Sequence, residues 1–296
     1  MRNAAAYFII FPLLTEELPV LLKILLAMIA FAANSLLCRL ALKGMHMDAL
    51  SFSSIRLLSG AVALYFLLRL PAVGKKPQFN GLNAVLLAIY VLAFSLAYLS
   101  LTTAAGALLL FGTVQVVMTG WGLTRGERLT WLKSVGILEA MAGLALLLLP
   151  GAGHPSGGAS LLMIISGAAW AAYCITGKRV KDAAAATAGN FILAVPIALV
   201  ALLVSSKPLQ ADAFGVALAV TSGALMSGGA YLLWYSLLPK LTPTTASTLQ
   251  LSVPCLAALG GLIFMGEAID LRMLLAIVIT LSGIGLVIVA ERQRQK

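Results

Sequence analysis

Between its charged residues the chain runs apolar for long distances: positions 77–124, 140–177, 183–206, 213–239, 241–266 and 273–290 contain no Asp, Glu, Lys or Arg. These runs are apolar on all sides. That argues against strands of a membrane barrel, which alternate apolar and polar positions over about ten residues. A helix of about 20 apolar residues crosses the roughly 30 Å hydrocarbon layer, so the longest runs hold two helices each. Punctuation by charge, Gly and Pro then predicts spans near 20–42, 49–70, 81–100, 104–123, 131–149, 159–178, 186–205, 213–236, 243–265 and 271–290. The expected class is all-α: a polytopic membrane protein of ten transmembrane helices, with no room for a soluble domain.

Composition agrees. Of 296 residues 61% are hydrophobic, and the mean hydropathy is +1.03, against roughly 45–50% apolar in soluble domains. The net charge of +10 is explained by basic cytoplasmic loops, without nucleic acid. With the N-terminus inside, fifteen Lys and Arg fall on the inner side and four (Arg39, Lys43, Lys207 and Arg272) on the outer, which predicts both termini in the cytoplasm of a bacterial inner membrane. Residues 1–19 are too short a run to span and read as a leader or interfacial segment.

Two short stretches, "GLTRGERLTW" and "FMGEAIDLRM", place a Gly-Glu pair at Gly126–Glu127 and again at Gly266–Glu267, 140 positions later. Gly143 and Gly283 repeat at the same interval, and Phe31 to Arg39 corresponds to Trp170 to Lys178. Five spans per half is an odd number, so the copies are inverted: a first repeat at 20–150, a periplasmic linker at 151–158, a second repeat at 159–290 and a basic cytoplasmic tail at 291–296. Inverted halves place a binding site near the midplane of their interface and exchange outward-open for inward-open states.

Polar and aromatic side chains inside the spans are the candidate chemistry. Asn34, Gln115 and Gln250 either line a cavity and bond a zwitterion or join helices. Ser35, Ser247 and Asn190 are further polar groups of the same kind. Trp170 and Tyr173, with Tyr90 and Tyr231, sit at mid-depth, where buried indole and phenol groups need partners; they are either helix packing or a ligand cage. Trp121, Trp131 and Trp234 stand close to span ends and are expected in an interfacial belt. Arg56 and Glu139 are charges within spans, where each costs at least about 2.5–3.5 kcal/mol. Arg56 is a contact for a substrate carboxylate, a gate, or a snorkelling chain. Glu139 is a proton-coupling carboxylate or a neutral helix-to-helix hydrogen bonder. Lys23 and Arg39 are expected to snorkel, and Gly223 and Ser227 in "SGALMSGGAY" allow close helix approach.

The segments "AFAANSLLCRLAL", "GALLLFGTVQ" with "RGERLTWLKSVG", "GAAWAAYCITGK", and "ASTLQLSVPCLAALGGLIFMGE" with "LSGIGLVIVAER" together resemble the EamA-type branch of the drug/metabolite transporter superfamily. The resemblance implies a carrier whose central cavity is lined mainly by helices 1, 3, 4, 6, 8 and 9. It implies export of amino acids or other small metabolites, one branch being similar to aromatic amino acid exporters; export of drugs by proton coupling is the alternative. Val114 departs from the pattern, since many relatives have proline there in span 4, whereas Pro254 keeps it in span 9. A membrane-embedded enzyme is less well supported because the ten acids are dispersed and no zinc spacing occurs, a scaffold because no soluble domain is expected, and an ATP-driven pump because GxxxxGK[ST] is missing. No catalytic residue, cofactor or metal is expected. The expected partners are the lipid bilayer and a small-molecule solute, and the protein is a monomer or homodimer.

Overall fold

A computed structural model describes residues 19–71, 73–148, 157–205, 209–266 and 271–295. Most of the leader, most of the linker and the loop carrying Glu267 lie outside the described residues. Among the described residues the protein is helical: α1 (Val20–Lys43), α2 (Ala49–Arg69), α3 (Gly81–Ala97), α4 (Thr103–Thr124), α5 (Trp131–Leu148), α6 (Gly157–Gly177), α7 (Ala183–Val204), α8 (Ala213–Lys240), α9 (Pro243–Met265) and α10 (Leu271–Gln295). Eight of these are long and apolar enough to cross a membrane; α3, with 17 residues, and α5, with 18, are not in that set. The tail expected at 291–296 is the continuation of α10 through Gln295.

Helix starts are set by short polar side chains that accept from otherwise unpaired amides. Asp48 caps α2, Asn80 α3, Thr102 α4, Asp182 α7, Asp212 α8 and Thr242 α9. The two Gly-Glu pairs have a local cause as well. Gly126 (φ 83°) and Gly266 (φ 67°) end α4 and α9 in the left-handed region that glycine enters without a Cβ clash.

Internal breaks follow from sequence too. Pro254 has no N–H to give the Gln250 carbonyl, and α9 is interrupted at Leu251, between Pro243–Gln250 and Ser252–Met265. With Val114 in the corresponding part of α4, that helix runs unbroken from Thr103 to Thr124. In α8 the stretch Ser222–Gly229 is a π-helix, flanked by α-helical turns.

The helices associate through small residues, as expected where lipid offers no hydrophobic drive between them. α5 and α10 run against each other at Gly136, Gly143 and Gly283: a Cβ at Gly143 would strike Thr280 and Ala276, and one at Gly283 would strike Ala140 and Gly136. Gly223 of α8 lies against the backbone carbonyl of Arg56 on α2. α3 packs on α6, α2 on α7 and α1 on α8.

Polar fastenings stand at opposite ends of the bundle. At one end Lys133 Nζ donates to Glu127 Oε1 at 2.7 Å, Glu291 Oε2 at 2.9 Å and Thr242 Oγ1 at 3.2 Å, joining α4, α5, α9 and α10. The Thr244 amide donates to Glu127 Oε2 at 3.3 Å. Burial alone would raise the Glu127 carboxyl; the hydrogen bonds from Lys133, Thr242 and Thr244, with the Lys133 charge, outweigh it and hold the group below its usual range. At the other end Met47 and Ala211 form an antiparallel bridge, and His46 Nδ1 lies 2.6 Å from Asp212 Oδ2.

Lys133→Met leaves the largely buried Glu127 and Glu291 carboxylates facing each other. It is expected to cost roughly 3–5 kcal/mol, read as a lower thermal midpoint in detergent. Because the folded Glu127 pKa lies below the ordinary glutamate value of 4.5, its contribution is complete above about that pH and is lost as pH falls through the depressed value. The gap in midpoint between the protein and its Glu127→Gln variant should therefore close on acidification from pH 6 toward pH 3.

Candidate functional site

At the centre of the bundle stands a guanidinium. Arg56, from the middle of α2, has no solvent exposure. Its Nε donates to Ser227 Oγ at 2.9 Å, and Nη2 donates to Tyr231 Oη at 3.0 Å and Tyr90 Oη at 3.3 Å. Its carbon lies 5.5 Å from the Tyr90 ring centre and 5.2 Å from that of Phe94. Nη1 has no hydrogen-bond partner. None of the described salt bridges includes Arg56, so hydroxyls and ring faces alone solvate this charge among the described residues. Arg56 does not snorkel.

The π-helical stretch of α8 explains how two serines serve one place. Residues five apart in an α-helix point in different directions, whereas i→i+5 bonding brings them onto one side. Asn34 Oδ1 on α1 accepts from Ser222 Oγ at 2.7 Å and from Ser227 Oγ at 3.5 Å, while its Nδ2 donates to the Met226 carbonyl at 2.7 Å. Asn34 is thus joined to Arg56 through Ser227.

Around the guanidinium lies an aromatic wall. Trp170 of α6 is 5.0 Å from Tyr90, 4.7 Å from Tyr231 and 5.6 Å from Tyr173, ring centre to ring centre, and Phe31 of α1 meets Trp170 edge-on at 5.4 Å. The Trp170 indole N–H donates to Gln250 Oε1 at 2.7 Å, fixing the ring from the interrupted α9. Asn190 Nδ2 donates to Tyr173 Oη at 3.2 Å, leaving Asn190 Oδ1 without a partner. Ser35 is also buried, but its side chain lies against the Tyr98 hydroxyl and not in this cluster. A bulky neutral wall beside one cation with an unbonded nitrogen can accept a solute with an apolar body and an anionic end.

Of the residues singled out in the sequence, Asn34, Arg56, Tyr90, Trp170, Tyr173, Tyr231 and Gln250 meet in this one cluster. Gln115 does not join it directly: its Nε2 donates to Thr119 Oγ1 at 3.0 Å and its Oε1 accepts from Thr248 Oγ1 at 3.3 Å, linking α4 to α9. Glu139 stands apart on the α5–α10 seam, where Ser282 Oγ donates to it at 2.6 Å. Trp234 is a correction. Expected in an interfacial belt, it is fully buried, with its N–H 3.3 Å from Cys174 Sγ and its ring 5.9 Å from Phe31, because α8 turns it inward against α1 and α6. Lys23 is buried rather than snorkelling. Phe31, Phe94, Ser222 and Ser227 were missed as cluster members. Nothing in helical periodicity relates residues 222 and 227, and Phe31 looks like any other apolar residue in its run.

Comparison with known proteins adds lineage. Residues 158–289 match the model of the EamA-like transporter family. An uncharacterized protein of Pseudomonas aeruginosa is 47% identical over 271 residues, covering 90% of this chain and 94% of that one. An uncharacterized transporter of Archaeoglobus fulgidus is 26% identical, covering 92% and 98%. A crystal structure at 15% identity superposes with a TM-score of 0.73 over 92% of this chain and 97% of its own, which shows a shared fold.

A buried charge without a counter-charge costs several kcal/mol, and its three hydrogen bonds return about 1.5–3 kcal/mol each. Arg56→Met should therefore stay within about 2 kcal/mol of the parent in stability, measured by thermal unfolding in detergent. A structural keystone would instead collapse on this substitution.

Proposed function

The chain belongs to the EamA-type branch of the drug/metabolite transporter superfamily, and from that membership we propose that it is a secondary carrier that exports small metabolites by alternating access. The observation that carries the solute class is Arg56: fully buried, with one guanidinium nitrogen unbonded and no carboxylate among its described partners. The solute supplies the missing anion. Its carboxylate bridges to Nη1, and its body packs on Trp170, Tyr90, Tyr173 and Tyr231. Amino acids and related monocarboxylates with apolar or aromatic side chains fit this chemistry, and cationic drugs do not.

In this reading ten helices cross the bilayer. The 17 residues of α3 give about 26 Å at 1.5 Å per residue, short of the roughly 30 Å core by an amount that local thinning or flanking residues absorb. Support for two inverted halves comes from contacts that recur with the halves exchanged. Gly143 meets Thr280 and Ala276 as Gly283 meets Ala140 and Gly136. Arg39 Nη1 donates to the Tyr98 carbonyl at 2.9 Å, and Lys178 Nζ to the Leu241 carbonyl at 2.7 Å, each cation meeting the carbonyl end of a neighbouring segment. Phe31 and Trp170, which correspond in the proposed repeat, touch each other where the halves meet.

The cluster is sealed in this state. The Lys133 fastening closes the end that the basic residues mark as cytoplasmic, and the Met47–Ala211 bridge with the His46–Asp212 pair closes the opposite end. Transport requires each to open in turn while the other holds. Glu139, paired with Ser282 away from Arg56, serves as a joint between α5 and α10, so a proton-coupled drug exporter is the weaker alternative.

Proteoliposomes loaded with a panel of amino acids, monocarboxylates and cationic drugs provide the test. Carboxylated solutes are expected to leave faster than from empty vesicles, with Arg56→Met slowing them roughly tenfold or more, the worth of a charge-assisted hydrogen bond. Selective flux of cationic drugs, or carboxylate flux indifferent to Arg56, would overturn the assignment.

A further inference from the structure

A second binding feature lies on the outside of the bundle, away from Arg56. Leu68, Arg69, Gly74, Lys75, Lys76, Pro77 and Phe79 enclose a pocket of about 500 Å³ between the end of α2 and the loop that follows it. It continues past Pro77 and Phe79 into an apolar groove, also about 500 Å³, walled by Leu58, Val62, Tyr65 and Phe66 of α2 and Ile192 and Val195 of α7. From Arg69 to Leu58 is about 16 Å at 1.5 Å per residue, one leaflet of a roughly 30 Å hydrocarbon core. The basic end therefore lies at headgroup level and the apolar trough at acyl-chain depth.

The pocket is held in shape. The Gln78 amide donates to the Ala185 carbonyl of α7 at 2.8 Å, and Lys75 Nζ lies 2.7 Å from Asp182 Oδ2 at the start of the same helix. The loop lies so close across α7 that a Cβ on Gly189 would collide with the Gln78 carbonyl. Arg69 Nη2 donates to Tyr65 Oη at 2.8 Å, and its guanidinium lies over that ring, which aims the cation along the rim of the groove. Asp182 offsets Lys75, so Arg69 and Lys76 supply the net positive charge.

We propose that this composite pocket is a binding site for an anionic glycerophospholipid, its phosphate held by Arg69 and Lys76 and one acyl chain lying in the groove between α2 and α7. Charge complementarity selects the headgroup, because basic pockets beside transmembrane helices bind acidic lipid at the cytoplasmic surface. The continuous apolar trough selects a lipid over free phosphate. A lipid here bridges α2, which carries Arg56, to α7, and so steadies the helix that presents the guanidinium. The cytoplasmic placement rests on the transport reading, but the lipid preference does not.

Native mass spectrometry of the detergent-solubilised protein, offered equal phosphatidylglycerol and phosphatidylcholine, tests this without any transport assay. Phosphatidylglycerol should be retained preferentially, and neutralising Arg69 and Lys76 to Gln should reduce the preference by about fivefold per cation. Arg125→Gln with Arg128→Gln, which removes the same charge elsewhere on the same side, should leave it intact. Phe79→Ser should lower retention of both lipids by disrupting the trough. Equal retention of the two lipids by the unaltered protein, or equal loss in the Arg125/Arg128 variant, would overturn the site. Free phosphate competing as well as lipid would overturn the part assigned to the groove.

Discussion

A guanidinium surrounded first by helices and then by lipid must be solvated by the protein itself, and much of the central architecture is arranged around that requirement. Arg56 obtains its partners from two helices: Ser227 and Tyr231 of α8, and on α3 the Tyr90 hydroxyl with the ring faces of Tyr90 and Phe94. None of these is anionic. The electrostatic account is left open by one charge, and the local structure tolerates this because ring faces and hydroxyls lower the cost without cancelling it. A carboxylate built into the protein beside Arg56 would have closed that account.

The same demand explains the irregular backbone. α8 departs from α-helical winding where it meets Asn34 and Arg56, and α9 is interrupted beside Gln250, which holds Trp170. Non-helical turns at membrane depth are tolerated where protein, not lipid, satisfies the released groups. Away from the cluster, at the α5–α10 seam, small residues pack helix to helix and the winding is regular.

Much of this was legible in the sequence because one physical rule, the cost of leaving backbone groups unbonded in lipid, forces long apolar helices whose limits are marked by Asp48, Asn80, Asp182 and Asp212. Mid-depth aromatics and the lone Arg56 were visible for the same reason, being expensive or needful of partners wherever they lie. What stayed hidden depends on rotation about helix axes. Trp234 has the sequence position of a belt residue and the azimuth of a core residue. Ser222 and Ser227 converge only because the winding changes between them. Lys133 and Glu291 lie 158 positions apart, and neither shows in its own helix that it has a partner.

The π-helical stretch of α8 amounts to one surplus residue stored within the helix. Like a dislocation in a crystal, such a surplus can glide to a neighbouring turn while nearly every backbone bond is kept. Each step of the glide rotates the side chains it passes. Ser227 and Tyr231 can thereby be turned away from the guanidinium, and Ser222 from Asn34, by winding alone, while the helix keeps its backbone bonded at membrane depth.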